Sequence, residues 1–259
     1  MALFKGTIYS SSLKMNTSLN VIFPDHSNDV DPLYDDEPKV LYLLHGLSGN
    51  EDEWIRFSKI EYYAKKYNFI IIMPRVDRSF YCNTTYKINY FDYIADELPQ
   101  IISKWFNINS SRENTYISGE SMGGYGAIKI GLSRPEKYAG IGALSGVLDY
   151  ESFARLIRDQ ELPDMAKEEL DVLYDQDSPM QLVDKVITLK QKPKLIQLCG
   201  TEDFLYENNQ TFRKYLEEIG YKHIYREGPG DHAWPYWDKA IQYVFMYFRD
   251  LDLDNTEIY

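Results

Sequence analysis

A serine stands in the most distinctive local pattern of the chain. Residues 119–123 read Gly-Glu-Ser-Met-Gly, which fits the G-x-S-x-G pattern around Ser121. A β-branched and aromatic run at 115–118 precedes the pattern, and small residues with helical character follow it at 127–132. Although such a pattern also occurs in ordinary turns, a strand, a sharp turn and a helix in this order form a nucleophile elbow. The order therefore predicts that Ser121 is a nucleophile with a helix N-terminus beneath it.

A serine hydroxyl is a weak nucleophile at neutral pH and needs a base within hydrogen-bond reach. The four histidines of the chain are His26, His45, His223 and His232. His26 lies in an acidic loop and His223 lies inside a predicted strand, where a packed or solvated role is expected. His232 follows the turn-rich residues 227–231, after the last predicted strand. Because the chain order is then serine, acid, histidine, we predict that His232 is the base.

The carboxylate that orients the base is expected just past the strand predicted at 194–199. Glu202 and Asp203 both lie there, and Asp231, next to the histidine, is a weaker rival. We favour Asp203, because an orienting carboxylate is held just beyond the strand tip. An aspartate at this position also commonly caps a helix, here one starting near Leu205, and the two roles are compatible.

The tetrahedral intermediate of acyl transfer carries a negative oxygen that needs hydrogen-bond donors. The backbone N–H of Met122, directly after the serine, is one candidate. The second is expected in the loop after an early central strand, where residues 45–49 read His-Gly-Leu-Ser-Gly. Leu47 N–H is the best candidate, because the glycines let the backbone approach closely. His45 is then a scaffold residue rather than a base.

Alternating strands and helices must position these groups. The predicted strands are 3–10, 12–23, 39–44, 69–73, 115–118, 138–144, 194–199 and 222–226, and the longer predicted helices are 51–67, 92–106, 205–219 and 234–249. Near-continuous apolar strands that alternate with helices indicate a mostly parallel sheet covered on both faces, with an antiparallel start. We therefore predict an α/β fold, with an exposed acidic loop at 25–38 and a kink at Pro99.

Charge and cysteine content limit the possible partners. The 259-residue chain carries a net charge of −12, which disfavours nucleic acid and anionic membranes as partners. Cys82 and Cys199 show neither metal-ligand spacing nor a disulfide framework, and the serine chemistry requires no metal or organic cofactor. The N-terminus lacks the features of a signal peptide, and no apolar run is long enough to span a membrane. We expect a cytoplasmic protein that acts on a small molecule.

Four segments together resemble the esterase D family of α/β-hydrolases, and within it the bacterial tributyrin esterases of the EstA type. These segments are residues 45–50, 119–126, 200–206 and 231–237. The resemblance extends over nearly the whole chain, 1–259, as a single α/β-hydrolase domain. It implies a serine carboxylesterase for short acyl esters, in which Ser121, Asp203 and His232 have the roles given above. Relatives also include feruloyl esterases and S-formylglutathione hydrolases, so these activities remain alternatives.

The resemblance also interprets the charged, strand-free residues 150–192 as a lid-like helical insertion over the acyl pocket. Trp54, Trp234 and Trp237 are possible pocket walls, although aromatic residues in such positions more often belong to the core. A homo-oligomer is possible, since members of the family often assemble. A non-catalytic binding module is a further alternative, but it would normally have lost the serine, the acid or the histidine.

One residue departs from the pattern of the family. The position before the nucleophile is often apolar or histidine in relatives, and here it is Glu120. A carboxylate at this place either alters the electrostatics near Ser121 or points away from it.

Overall fold

An eight-stranded sheet runs through the computed structural model, which describes residues 1–25, 34, 36–159, 167–174 and 176–254. The strands are β1 (Ala2–Ser10), β2 (Met15–Phe23), β3 (Lys39–Leu44), β4 (Phe69–Pro74), β5 (Thr115–Glu120), β6 (Gly140–Leu144), β7 (Lys194–Gly200) and β8 (His223–Gly228). The helices are α1 (Glu53–Phe57), α2 (Ile60–Lys66), α3 (Tyr90–Asp92), α4 (Leu98–Phe106), α5 (Met122–Ser133), α6 (Tyr150–Arg158), α7 (Lys167–Tyr174), α8 (Pro179–Val186), α9 (Tyr206–Glu218) and α10 (Trp234–Phe248).

The strand order is β1-β2-β4-β3-β5-β6-β7-β8. β1 pairs antiparallel with β2, and β2 antiparallel with β4, whereas every pair from β4 to β8 is parallel. This confirms the predicted antiparallel start and the mostly parallel sheet. Because parallel strands end at the same edge, the loops after β3, β5, β7 and β8 meet there.

Two hydrophobic cores cover the two faces of the sheet. Leu41 and Tyr42 are adjacent in β3 and belong to different cores, since successive strand side chains point to opposite faces. Tyr42 shares its core with Ile128 of α5, and Leu41 shares the other with Tyr63 of α2 and Phe245 of α10. The helix that follows Ser121 is therefore buried against the sheet, which fixes the serine at its start.

The predicted elements differ most from the structure in three segments. The second strand begins at Met15 rather than residue 12, because a turn containing Lys14 at φ 57° precedes it. The helix expected at 51–67 is divided into α1 and α2. The helix predicted at 92–106 is part of a continuous helical run from Tyr90 to Phe106, which contains a π-helical segment at Tyr93–Glu97 two residues before Pro99. The kink expected at Pro99 stays a prediction.

Some predictions fall on residues outside the described part of the chain. Residues 26–33 and 35 of the acidic loop, which include His26, lie outside it, as do residues 160–166 and 175 of the expected insertion. The described residues between 150 and 192 form the helices α6, α7 and α8 and no strand. Among the described helices, none is both long and apolar enough to cross a membrane.

Candidate active site

The turn between β5 and α5 holds Ser121 in a strained conformation, with φ 55° and ψ −119°. Such a backbone is rare outside glycine, and it presents the hydroxyl away from the sheet. Close packing explains the glycines on either side. A Cβ on Gly119 would lie 2.6 Å from the backbone of Gly123, and one on Gly123 would lie 2.5 Å from Leu44 O. The residues predicted to form the elbow therefore have that geometry.

The serine, the loop after β8 and the loop after β7 meet at this turn. His232 Nε2 lies 2.9 Å from Ser121 Oγ, and His232 Nδ1 lies 2.9 Å from both carboxylate oxygens of Asp203. The carboxylate can only accept, so Nδ1 carries the proton and Nε2 offers its lone pair to the serine hydroxyl. The Asp203 side chain is fully buried and the His232 side chain is 16% exposed. The arrangement can transfer a proton from the serine to the imidazole.

Aromatic rings hold the imidazole in place. The centroid of the Phe204 ring lies 4.3 Å from that of His232, and the Trp237 ring meets it edge-on at 4.9 Å. The Trp237 indole N–H donates to Ser145 Oγ at 3.2 Å, so this ring is itself fixed. The imidazole is thereby confined to the direction of the serine.

The other two carboxylates considered from the sequence lie elsewhere. Glu202 is exposed and accepts a hydrogen bond from Gly230 N–H, so it joins the loop after β7 to the loop that carries the histidine. Asp231 is exposed, and its backbone carbonyl accepts from Ala233 N–H. Asp203 also accepts from Leu205 N–H at 2.8 Å, in the turn before α9, but its side chain does not cap that helix.

A pocket of about 460 Å³ opens beside Ser121 and His232. Leu47 and Met122 line it. Met122 is the first residue of α5, so its N–H has no partner within the helix and remains available for a ligand. Leu47 precedes Ser48, whose φ of 62° turns the loop back towards α1. Both residues predicted as oxyanion donors therefore border the same pocket as the nucleophile.

The three tryptophans proposed as pocket walls occupy different positions. Trp234 and Trp237 line the pocket. Trp54 does not: it is 1% exposed, its indole N–H donates to Leu44 O at 3.1 Å, and its ring meets that of Trp234 edge-on at 5.0 Å. The structure places Trp54 behind the wall, because its indole N–H finds a backbone acceptor in the core.

Several pocket residues were not found from the sequence. They are Glu53, Arg78, Phe80, Val147, Phe153 and Phe204. No local pattern distinguishes these aromatic residues from the many others in the chain, since contact with the pocket depends on how α6 and the loop after β4 fold over the sheet. For Phe204 alone a signal existed, because it directly follows Asp203.

His45 anchors the loop that carries Leu47. Its Nδ1–H donates to Gly46 O at 2.8 Å, and its Nε2 accepts from Val76 N–H at 3.1 Å. Its backbone carbonyl accepts from the Tyr81 hydroxyl at 2.8 Å. Burial lowers the pKa of His45 to about 4, so the ring is neutral at pH 7. These contacts agree with the scaffold role predicted for this histidine.

The Esterase family model, described as "Putative esterase", matches residues 10–246. The chain belongs to this esterase family. An acetyl esterase of Caldicellulosiruptor saccharolyticus is 32% identical to it over 263 residues, covering 95% of this chain and 97% of that protein.

Two solved structures from Staphylococcus aureus are similar to this esterase over 95% of its chain and 98% of theirs. The fluorophosphonate-binding serine hydrolase FphF, in a substrate-bound structure, is 36% identical with a TM-score of 0.82. The S-formylglutathione hydrolase FrmB is 34% identical with a TM-score of 0.80. With the sheet order described above, these relatives show that this esterase has an α/β-hydrolase fold and is a carboxylic-ester hydrolase.

Proposed function

We propose that this esterase hydrolyses short-chain acyl esters through a Ser121–His232–Asp203 triad and an acyl-enzyme, as tributyrin esterases do. The observation that carries the proposal is the continuous hydrogen-bonded series from Ser121 Oγ through His232 to Asp203, at 2.9 Å for each contact, beside a pocket of about 460 Å³. A nucleophile, a base and an orienting acid in this geometry are the parts that acyl transfer needs.

The proposed reaction has two halves, formation and hydrolysis of the acyl-enzyme, and the same catalytic groups act in both. Ser121 Oγ attacks the ester carbonyl while His232 Nε2 takes its proton, and Asp203 stabilises the resulting imidazolium. The N–H groups of Leu47 and Met122 donate to the oxyanion of the tetrahedral intermediate. The C–O bond to the alcohol breaks as His232 returns the proton to the leaving oxygen. Water then attacks the acyl-enzyme by the same steps and releases the acid.

Residues 150–192 are proposed to cover the acyl side of this pocket within a single domain. Phe153 of α6 lines the pocket, and the Tyr150 hydroxyl lies 2.8 Å from that of Tyr125 on the nucleophile helix. Leu182 and Val183 of α8 are buried in the core that also contains Tyr42 and Ile128. These contacts favour a cover that is packed on the rest of the fold.

Two other ester classes are candidates for the same machinery. The aromatic rings of Phe80, Phe153 and Trp234 around the pocket favour a feruloyl ester, because flat aromatic acyl groups stack on such surfaces. The likeness to a solved S-formylglutathione hydrolase favours that thioester. Against it stands Glu53, an acidic residue in the pocket lining that would face an anionic substrate.

Hydrolysis of a matched series tests the proposal. The series contains p-nitrophenyl acetate, butyrate, octanoate and decanoate, with methyl ferulate and S-formylglutathione beside them, and Ser121→Ala is the control. We expect the highest kcat/KM for acetate and butyrate, with a steep decline as the acyl chain lengthens. A preference for methyl ferulate or S-formylglutathione would replace the short-acyl assignment. If no substrate is turned over and a fluorophosphonate fails to label Ser121, the catalytic proposal is wrong and a binding role replaces it.

A further inference from the structure

Glu120 is the acidic residue closest in sequence to the nucleophile, and the proposed mechanism does not use it. It is the last residue of β5, is 2% exposed, and contributes to the wall of the pocket. A carboxyl group buried this completely needs either a neutralising partner or a proton. Its surroundings therefore decide what it does beside Ser121.

The Glu120 carboxyl group lies against the loop that carries Leu47. A Cβ on Gly46 would stand 2.6 Å from Glu120 Oε1, so a larger residue at 46 would have to displace this carboxyl group. The Glu120 carboxyl accepts a hydrogen bond from the Gly46 backbone N–H. Gly46 directly precedes Leu47, so this contact fixes the backbone one residue from the proposed oxyanion donor.

A second carboxyl group supports the other end of the same loop. A Cβ on Gly49 would stand 2.7 Å from Glu53 Cδ, so Glu53 packs there as Glu120 packs on Gly46. Glu53 also lines the pocket, but it is less deeply buried than Glu120. The loop is thus held between two acidic side chains that come from different parts of the chain.

Among the described residues, no positively charged group shifts the pKa of Glu120 towards its ionised form. In the described part of the chain, the charged and titratable groups that act on Glu120 are Glu53 of α1 and Tyr81 of the loop after β4. Arg78 and His232 share its pocket but are not among the groups that shift the pKa of Glu120. Burial, and then the charge of Glu53, raise the pKa of Glu120 well above its ordinary value, and the Gly46 N–H only partly opposes this. Burial therefore favours the protonated form of the Glu120 carboxyl group.

We propose that Glu120 is a positioning residue whose neutral carboxylic acid holds Gly46, and through it the Leu47 N–H, in the geometry that receives the oxyanion. This inference rests on the proposed esterase function. When the carboxyl group ionises at alkaline pH, it places a negative charge in the pocket wall next to a developing negative oxygen. Two like charges in a site of low dielectric repel strongly, so transition-state stabilisation is lost. Activity should consequently decline at alkaline pH as Glu120 ionises.

The test is the pH dependence of kcat/KM for p-nitrophenyl acetate in the wild type, Glu120→Gln, Glu120→Leu and Glu53→Gln, with Ser121→Ala as the blank for spontaneous hydrolysis. The amide oxygen of Glu120→Gln can still accept from Gly46 N–H but cannot ionise. We expect the wild type to lose activity at alkaline pH and Glu120→Gln to lack this decline. Glu120→Leu cannot accept the hydrogen bond, and its kcat at pH 7 should be at least about tenfold below that of Glu120→Gln, with little change in KM.

Glu53→Gln gives an independent measurement on a protein that retains Glu120. Removal of the neighbouring negative charge lowers the pKa of Glu120, so the alkaline decline should move to lower pH. Melting temperatures recorded at each pH separate a loss of activity from unfolding. An alkaline decline in Glu120→Gln equal to that of the wild type overturns the inference, as does an unshifted decline in Glu53→Gln. If wild type and Ser121→Ala are equally inactive, the proposed function itself has failed, which is a different result.

Discussion

Two loops at the same edge of the sheet each carry a histidine, and the two rings have opposite surroundings. His45, after β3, is 1% exposed, and both of its ring nitrogens form hydrogen bonds with backbone groups, those of Gly46 and Val76. The ring nitrogens of His232, after β8, form hydrogen bonds with the Ser121 hydroxyl and the Asp203 carboxylate, and the side chain is 16% exposed. The first ring can only hold a backbone, whereas the second can exchange a proton.

This difference shows that residue type and strand-end position do not decide what a histidine does. A ring that is hydrogen-bonded only to backbone groups has no reacting group with which to exchange a proton, and burial keeps the ring neutral. In the proposed reaction, a ring between Asp203 and Ser121 becomes an imidazolium that the carboxylate stabilises. The following predictions test whether the two loops differ as these contacts indicate.

The largest effect on activity is expected for substitution of His232, in the loop after β8. His232→Ala removes the proposed base, and kcat/KM for p-nitrophenyl butyrate should fall by about 10⁶-fold. His223→Ala is the matched control: this ring lies in β8 and its Nδ1 contacts Tyr221 O, so activity should stay near that of the wild type. Near-normal hydrolysis by His232→Ala would rule out its role as the base.

Asp203→Asn should give the next largest effect. The asparagine amide can donate to Nδ1, which favours the tautomer whose Nε2 is protonated and cannot accept from Ser121, so kcat should fall by about 10⁴-fold. Asp231→Asn, at the exposed rival carboxylate, should leave kcat close to the wild-type value. The reverse ranking of these two variants would assign the orienting role to Asp231.

His45 should instead affect stability, and in a pH-dependent way. Its pKa is lowered from 6.5 to about 4 by burial, so the unfolded chain binds a proton here at a higher pH than the folded chain does. The free energy of unfolding is therefore reduced as the pH falls below 6.5, by about 3 kcal/mol at pH 4. His45→Gln should lack this contribution. Urea unfolding of the wild type and His45→Gln at pH 7 and pH 4 measures this contribution. Equal losses of unfolding free energy in the two proteins would contradict the lowered pKa of His45.

The smallest effect is expected at Glu202. This exposed side chain joins the loop after β7 to Gly230, and the hydrogen bond from Gly230 N–H lowers the pKa of Glu202. Glu202→Ala should reduce kcat by no more than about fivefold, because exposed charged contacts contribute little. A loss as large as that of Asp203→Asn would show that Glu202 has a part in the chemistry.

Local patterns were sufficient to predict the elbow and the succession of strands and helices along the chain. Gly119 and Gly123 are required by contacts within a few residues of Ser121 and with the adjacent strand β3, and apolar strands alternate with helices along the whole chain. Strand ends of a parallel sheet share one edge, so the positions of Leu47, Asp203 and His232 after predicted strands already implied that they meet. Helix boundaries were less predictable, as the division of residues 51–67 into α1 and α2 shows.

Which side chains face the pocket could not be read from the chain. Trp54 and Trp234 look equally suitable in the sequence, yet one is buried behind the other. Phe153 reaches the pocket through α6, whose placement depends on contacts with α9 and the rest of the core. Such contacts join residues far apart in sequence, and short-range periodicity carries no information on them.

The amino-acid sequence thus specified the elbow around Ser121, the chain order of the residues that meet there and the class of fold, because backbone strain and strand periodicity are local properties. The three-dimensional packing assigned the two histidines their different partners and set Glu120 against Gly46. Hydrogen-bond partners and the pKa of a buried group depend on what surrounds it in space. That environment exists only after distant segments have come together.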